Sequence, residues 1–286
     1  MPEETQNTEA DSTENYVANF YASYKLSYEE INSCTRHCVA WRTADQSSGR
    51  PQLIGGGWPP AQDIYRARDS LNYRISSLSW HMKTLYDTQS IEAQKISESE
   101  INRVTDPNIS NHALMRIGYV FDNIVFNSVS AFDYLAKYIC RVHFPAVRGS
   151  QLEWRKLRLK NALLKLEDKQ LSGLIEQIDL EWFRPLDRLR GDIIHDGAEI
   201  GDMQFSEQYN SDRITHTFEF NMPKKATELL PIFEDNTTIA VEPGAAMIML
   251  QTLQYTRQII KQMSEFKYRN LHDPLQTNRM KEIPPL

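Results

Sequence analysis

The sequence has few cysteines, no long apolar run and no recognisable export signal. Its 286 residues include three cysteines, Cys34, Cys38 and Cys140. An odd, sparse set does not make a disulfide framework, so we expect free thiols in a reducing compartment. The most apolar run, 245–250, is far shorter than the roughly 20 residues that a membrane helix needs. The N-terminus is acidic and polar, without the basic and apolar regions of a signal peptide. The sequence therefore predicts a cytoplasmic protein with no membrane partner.

An excess of positive charge is also missing. The chain carries 32 lysines and arginines against 38 aspartates and glutamates, which gives a net charge of −6. This balance is not the strongly basic footprint of a protein that binds nucleic acid non-specifically. A local basic groove remains compatible with it.

Several kinds of catalytic site are excluded because their motifs are absent. The sequence contains neither Glu-x-x-His nor His-Glu-x-x-His, the patterns of di-iron bundles and zinc hydrolases. The glycine run 55–57 lacks the Lys-Ser/Thr of a phosphate-binding loop. Cys34 and Cys38 flank His37, but their spacing is not the usual one for zinc and a fourth ligand is missing. We therefore expect no metal and no cofactor.

Apolar residues at gaps of three and four predict a mainly α fold, an antiparallel helical bundle. A short alternating pattern predicts a β-hairpin at about 202–220, after the helix that ends near Gly197. Residues 237–241 are a candidate for a further short strand. Polar composition predicts a disordered tail over 1–13 and a loose C-terminal tail over 271–286, which leaves one domain over 14–270. The predicted helices are Tyr16–Ala44 with a break near Ser27, Ala61–Ser99, His112–Val142, Gln151–Asp168, Leu171–His195 with a break at Pro185, and Pro243–Tyr268.

The segment 186–197 is predicted to be the end of a helix that carries chemically useful side chains. Leu186, Leu189 and Ile193 recur at helical spacing and are expected to face the core. Gly197 follows, and glycine is the usual residue just past a helix C-terminus.

Four polar residues in this segment form the candidate catalytic set. At about 100° per residue, Arg188 and His195 point within about 20° of each other, and Asp192 lies about 60° from His195. Arg190 points roughly 140° away from His195, so it reaches the histidine through a bent side chain or from a second subunit. A purely structural alternative is an Arg188–Asp192 ion pair with a histidine at the negative end of the helix dipole.

Two further groups of polar residues are candidates for supporting roles. The predicted helix 112–142, the central helix, is expected to bury Asn127 and Asp133 among apolar residues, so both need partners. An arginine of the helix that carries the segment 186–197, the motif helix, is a natural partner for Asp133. The helix predicted after residue 150 carries a basic patch, which is either a solvated helix face or an RNA-binding surface. The patch consists of Arg155, Lys156, Arg158 and Lys160.

These residues resemble the signature of the HEPN superfamily (higher eukaryotes and prokaryotes nucleotide-binding domains). The family motif is an arginine and a histidine separated by four to six residues, late in a helical bundle. Arg190 and His195 give the four-residue gap, and Arg188 and His195 give the six-residue gap. The segments 121–124 and 130–135 also look like the central helix of bacterial members. The likeness covers roughly 61–268.

The resemblance implies a HEPN-type bundle and a metal-independent endoribonuclease that works as a homodimer, of a toxin or phage-defence kind. Histidine suits proton transfer at an RNA 2′-OH or leaving oxygen, and arginine suits the phosphate. The product would be a 2′,3′-cyclic phosphate. His195 would be the acid–base group, Arg190 the phosphate ligand with Arg188 as alternate, and Asp192 the residue that orients His195. RNA and an antitoxin or defence protein are the implied partners.

One departure from the family pattern keeps a different class of function open. Many members carry a polar residue directly after the arginine, where this chain has Gly191. Part of the superfamily is inactive and serves in binding or assembly. The alternative is therefore a non-catalytic helical module that dimerises or docks onto another protein, and a third interpretation is a nucleotide-binding sensor.

Overall fold

The fold is taken from a computed structural model of the chain. Backbone is described over 6–47, 62–101, 108–143, 153–159, 163, 166–196, 201–210, 213–233 and 238–272. Within these ranges, side chains are not described for 6–14, 41–47, 100–101, 196, 207–210, 213–216 and 267–272.

The structure confirms a mainly helical fold with one small antiparallel sheet. No helix in the described part of the chain is long and apolar enough to cross a membrane. The helices are α1 (Gln6–Ser47), α2 (Gln62–Ile101), α3 (Ile109–His143), α4 (Trp154–Leu157), α5 (Lys169–Ile178), α6 (Arg184–Asp196), α7 (Lys224–Leu229) and α8 (Val241–His272). The strands are β1 (Met203–Asn210) and β2 (Arg213–Phe220).

Helix α1 is longer than the sequence predicts. It begins at Gln6, inside the segment predicted to be a disordered tail, and it continues without a break through Ser27. Ser27 is fully buried. Serine is only a mildly poor helix former, so packing of the surrounding apolar residues outweighs its preference. The predicted break is wrong. Helix α8 continues to His272, two residues into the predicted tail over 271–286. Residues 1–5 and 273–286 lie outside the described part of the chain.

The continuous helix predicted over 151–168 is also wrong. Among the described residues, helix α4 ends at Leu157, the backbone is not helical at residues 158–159, and residue 163 is helical again. The Trp154 backbone N–H donates to the Asp133 carboxylate at 3.0 Å, and the Trp154 indole is buried. Tertiary contacts of this kind override a helical pattern in the sequence.

The break expected at Pro185 takes the form of a π-helical turn just before it. Asp179–Phe183 is π-helical and leads directly into α6, in which Pro185 is the second residue. Proline has no N–H to donate and its ring disfavours a regular preceding turn, so a wider turn accommodates it at a helix start. The motif helix is therefore a separate helix that begins beside this turn.

The predicted hairpin is confirmed. Strands β1 and β2 pair antiparallel, with Met203 opposite Phe220 and Asn210 opposite Arg213. The extra strand predicted near residue 240 is reduced to a single bridge between Asn221 and Ala240. A side chain at Gly201 would collide with the Asn221 carbonyl oxygen, so this glycine permits the close approach at the base of the hairpin.

The described chain divides into two compact units, each made of three separate stretches. Helices α1, α2, α3 and α8 contribute residues to both units. Unit 1 comprises 1–24, 76–129 and 180–252, and unit 2 comprises 25–75, 130–179 and 253–286.

In unit 1, the interior contains a hydrogen-bonded polar cluster between α2 and α3. The Asn127 side-chain carbonyl accepts from the Ser77 hydroxyl at 3.0 Å, and its amide lies 2.9 Å from His81 Nε2. The amide also donates to the Asn123 carbonyl at 2.7 Å. Burial lowers the pKa of His81, which favours the neutral ring that accepts from the amide. Asn127 thus fixes the register of the two helices in this unit.

In unit 2, the buried carboxylate of Asp179 joins α4 to the π-helical turn. It accepts from the Trp154 indole N–H at 3.2 Å and from the Arg158 guanidinium at 3.1 Å. Elsewhere in this unit the hydroxyls of Thr35 and Tyr138 lie 3.0 Å apart. These bonds satisfy polar groups that would be costly to bury alone.

Candidate functional site

The motif helix α6 is held by its apolar side. Leu186 and Leu189 are fully buried, as predicted, whereas Ile193 is only half-buried. Just before the helix, the buried Trp182 indole N–H donates to the Thr252 hydroxyl at 3.3 Å. This anchor and the leucines fix the position of the helix, so its opposite side is presented in one orientation.

Arg188 and His195 lie on the exposed side of α6. Neither side chain makes a hydrogen bond or ion pair with another residue whose side chain is described. Their positions seven residues apart place them on the same side, about 10 Å apart along the axis. All side chains of a helix lean toward its N-terminus, so this separation is kept. A phosphate that contacts both groups requires the long Arg188 side chain to extend along the helix toward His195.

Arg190 is in a different environment. Its guanidinium lies 2.7 Å from the Asp187 carboxylate one turn earlier, and its side chain is 25% exposed. The Arg190 Nε–H is buried and has no acceptor among the described residues. The contact with Asp187 is thus a close ion pair that leaves one guanidinium donor unused.

Asp192 forms an ion pair with Lys225 of α7, at 3.8 Å between carboxylate and ammonium. The Arg188–Asp192 pair expected from their spacing is not formed in the structure. Asp187 and Lys225 were missed by the sequence analysis. The i,i+3 spacing of Asp187 and Arg190 is a usable signal, but no local pattern connects Lys225 to α6.

An apolar residue beside the histidine was also missed. Ile194 is 60% exposed at the end of α6. A single exposed isoleucine is common on protein surfaces, but one next to the candidate catalytic residue is a candidate subunit contact. Ile194 directly follows Ile193, which the spacing assigns to the core, so the sequence does not reveal its exposure.

The residues of the predicted RNA-binding patch lie in different environments. Arg155 is exposed, and Lys156 lies 3.7 Å from the Glu153 carboxylate. Arg158 is bound to the buried Asp179, so its charge contributes to the packing of unit 2. Lys160 lies outside the described residues. The RNA-binding role of this patch stays a prediction.

The two supporting residues have partners within their own units. Asp133 accepts from the Trp154 backbone N–H, and Asn127 binds Ser77 and His81. Both are therefore structural as described here. The predicted pairing of Asp133 with an arginine of the motif helix stays a prediction.

Asp122 of α3 was not singled out as a site residue, yet its carboxyl is unusual. One of its oxygens is buried and has no hydrogen-bond partner among the described residues. Burial raises the pKa of Asp122 to about 6. A carboxyl that titrates near neutrality is a common feature of functional sites, although structural strain produces it too.

Among the residues that the structure describes, no group of three or more histidine, cysteine, aspartate or glutamate side chains is arranged to hold a metal ion. Comparison with known proteins gives no match to a family model, to a curated protein or to a solved structure. The HEPN resemblance therefore stays a prediction based on the motif and its place in a helical chain.

Proposed function

We propose that the protein is a metal-independent endoribonuclease that acts as a homodimer through the exposed side of α6. The observation that carries the proposal is the exposure of Arg188 and His195 on one side of an anchored helix. Imidazole is a group that can both take up and give a proton, and guanidinium is a group that binds phosphate. Neither side chain has a partner among the residues whose side chains are described.

In the proposed reaction, the 2′-oxygen of a ribose attacks the adjacent phosphorus and the bond from phosphorus to the 5′-oxygen breaks. One imidazole takes the 2′-OH proton, and a second imidazole gives a proton to the leaving 5′-oxygen. Arginine stabilises the charge on the phosphate oxygens as the bonds change. The products are a 2′,3′-cyclic phosphate and a 5′-hydroxyl, and the two histidines are His195 of each subunit.

Exposure favours Arg188 over Arg190 as the phosphate ligand. Arg188 is exposed, whereas the Arg190 guanidinium is close to the Asp187 carboxylate, which competes with a phosphate for it. Asp192 is close to Lys225, so it orients His195 only if it leaves that pair. We assign Arg188 as first choice and Arg190 as second.

The test is cleavage of a mixed-sequence single-stranded RNA in excess EDTA, with the ends identified by mass. The wild type should produce cyclic phosphate ends, and His195→Ala should abolish them. His112→Ala is a matched control, since His112 is another exposed histidine with no assigned role. Equal cleavage by wild type and His195→Ala would refute the assignment.

The dimer is tested separately through Ile194. A charge at an apolar subunit contact disfavours association, so Ile194→Glu should shift the protein toward monomer in sedimentation and reduce cleavage. The control is Ile91→Glu, at an exposed isoleucine of α2. A monomeric wild type with full activity would remove the dimer from the proposal.

The ion pairs of α6 favour one alternative, a non-catalytic interaction module. Two of the four candidate polar residues, Arg190 and Asp192, are close to opposite charges of their own chain. An exposed Ile194 would then contact a partner protein, such as an antitoxin or defence protein. Wild type that fails to cleave RNA, together with association that Ile194→Glu abolishes, would decide for this alternative.

A further inference from the structure

Unit 1 contains a cavity lined by residues that the proposed nuclease site does not use. It is a pocket of about 620 Å³ between α1, α2 and the start of α8. This volume is within the range of pockets that bind small molecules, roughly 300–1,000 Å³. Its lining is mainly apolar and aromatic and includes Tyr21, Met82 and Tyr86.

Among the described residues that line the pocket, Lys83 is the single cation, and it already has a partner. The Lys83 ammonium lies 2.5 Å from the Asp87 carboxylate, one helical turn away. The hydrogen bond to Asp87 raises the pKa of Lys83, with the charge of Asp87 as the next cause. Lys83 and Asp87 therefore cancel each other's charge, and an anionic ligand would have to separate them.

The remaining charged residue in the lining is Glu242, in the first turn of α8. It is half-buried and makes no hydrogen bond or ion pair with any residue whose side chain is described. Burial raises the pKa of this carboxyl. A partly buried carboxylate without a cation is costly, and a bound cation would remove that cost.

The pocket thus combines one uncompensated negative charge with two tyrosine rings. Tyr21 and Tyr86 are 40% and 57% exposed, so their rings are available to a ligand. Aromatic rings attract organic ammonium groups as well as hydrocarbon. An anionic ligand would be repelled by the Glu242 carboxylate. A neutral apolar ligand would bring no positive charge to this carboxylate.

We propose that this pocket binds an apolar organic amine, with its ammonium group at Glu242 and its hydrocarbon body against Tyr21, Met82 and Tyr86. The ligand needs one positive charge to match the net charge of the lining. Because the ammonium binds the ionised carboxylate, affinity should fall as the pH drops through the titration of Glu242.

The test is calorimetry on the full chain with phenylbutylamine and with its neutral analogue phenylbutanol. The wild type should bind the amine about tenfold more tightly than the alcohol, as expected for one charge-assisted contact. Glu242→Gln keeps the shape and removes the charge, so it should abolish this preference and leave alcohol binding unchanged. The control Glu228→Gln, at an exposed α7 residue paired with Lys224, should behave as wild type.

A second variant tests the apolar part of the site. Tyr86→Ala should weaken both ligands, because both place hydrocarbon against that ring. Thermal unfolding of each variant shows whether it is folded. Absence of amine binding up to about 10 mM, equal affinity for the two ligands, or an amine preference that survives in Glu242→Gln would each overturn the proposal. None of these results bears on RNA cleavage.

Discussion

Two regions of the molecule each contain an arginine–aspartate pair, but they use the pair differently. In unit 2, Arg158 and Asp179 are 21 residues apart in the chain and join α4 to the π-helical turn, with the Asp179 side chain 2% exposed. In unit 1, Arg190 and Asp187 are one turn apart within α6, and the Asp187 side chain is 12% exposed. The first pair connects separate elements, whereas the second is local to one helix.

The difference teaches which charged residues are available for function. Asp179 has both a guanidinium and the Trp154 indole as donors, so that region is a satisfied polar core. On α6, the local pair lies on a helix that also carries the exposed Arg188 and His195. The two regions contain similar residue types. Burial and bonding partners are what distinguish a residue with a structural role from a residue that is a candidate for catalysis.

The largest expected effect comes from breaking the tertiary pair. Asp179→Ala should lower the free energy of unfolding by about 3–5 kcal/mol, because Arg158 and the Trp154 indole lose their acceptor. Urea unfolding followed by fluorescence measures the change. A loss below about 1 kcal/mol would show that water replaces the carboxylate. The tertiary pair would then stabilise the fold no more than the local pair of α6 does.

The next effect concerns the exposed arginine of α6. Arg188→Ala should lower RNA cleavage about a hundredfold, as removal of a group that stabilises phosphate charge does. Stability should change by less than about 0.5 kcal/mol, since Arg188 is exposed. Arg188→Lys should retain part of the activity. If Arg190→Ala abolishes cleavage while Arg188→Ala does not, the roles of the two arginines are reversed.

The fold was largely predictable from apolar spacing. The periodicity gave α2, α3 and the hairpin to within a few residues of their bounds, because helices and strands repeat their apolar residues at different intervals. The segment after residue 150 was not predictable, since Trp154 and Arg158 are held by Asp133 and Asp179. No local sequence pattern predicts such tertiary contacts.

The candidate site was predictable in its residues but not in their pairing. Helical geometry placed Arg188 and His195 on one side of α6, and both are exposed. The sequence did not show that Arg190 would have Asp187 close by, or Asp192 a lysine from α7. Pair formation depends on rotamers and on neighbouring helices, which spacing alone does not fix.

A smaller effect is expected at Asp122, which has no ion pair with any residue whose side chain is described. Its pKa of about 6 lies above the ordinary 3.8 because of burial. The ionised form is therefore disfavoured in the folded state, and stability is lost as the pH rises from about 4 through about 6. Asp122→Asn should add about 1–2 kcal/mol at neutral pH, less than the shift alone implies because water screens a partly exposed charge.

Urea unfolding at several pH values distinguishes this effect from a general change in packing. The gain from Asp122→Asn should vanish near pH 3, where the carboxyl is protonated in both states. Asp87→Asn, at an exposed aspartate, is the matched control and should show no such gain. A gain that is the same at every pH would contradict the titration of Asp122.

The smallest effect is expected from the local pair of α6. Asp187→Asn should lower the free energy of unfolding by about 1 kcal/mol, since it removes one short-range ion pair and one acidic residue from the first turn of the helix. Its effect on cleavage is more informative. If Arg188 binds the phosphate, cleavage should stay within about twofold of wild type. The activation free energy would then change by much less than the roughly 1.4 kcal/mol that corresponds to a tenfold change in rate. If cleavage instead rises several-fold, Asp187 restrains the Arg190 guanidinium, and Arg190 is the phosphate ligand.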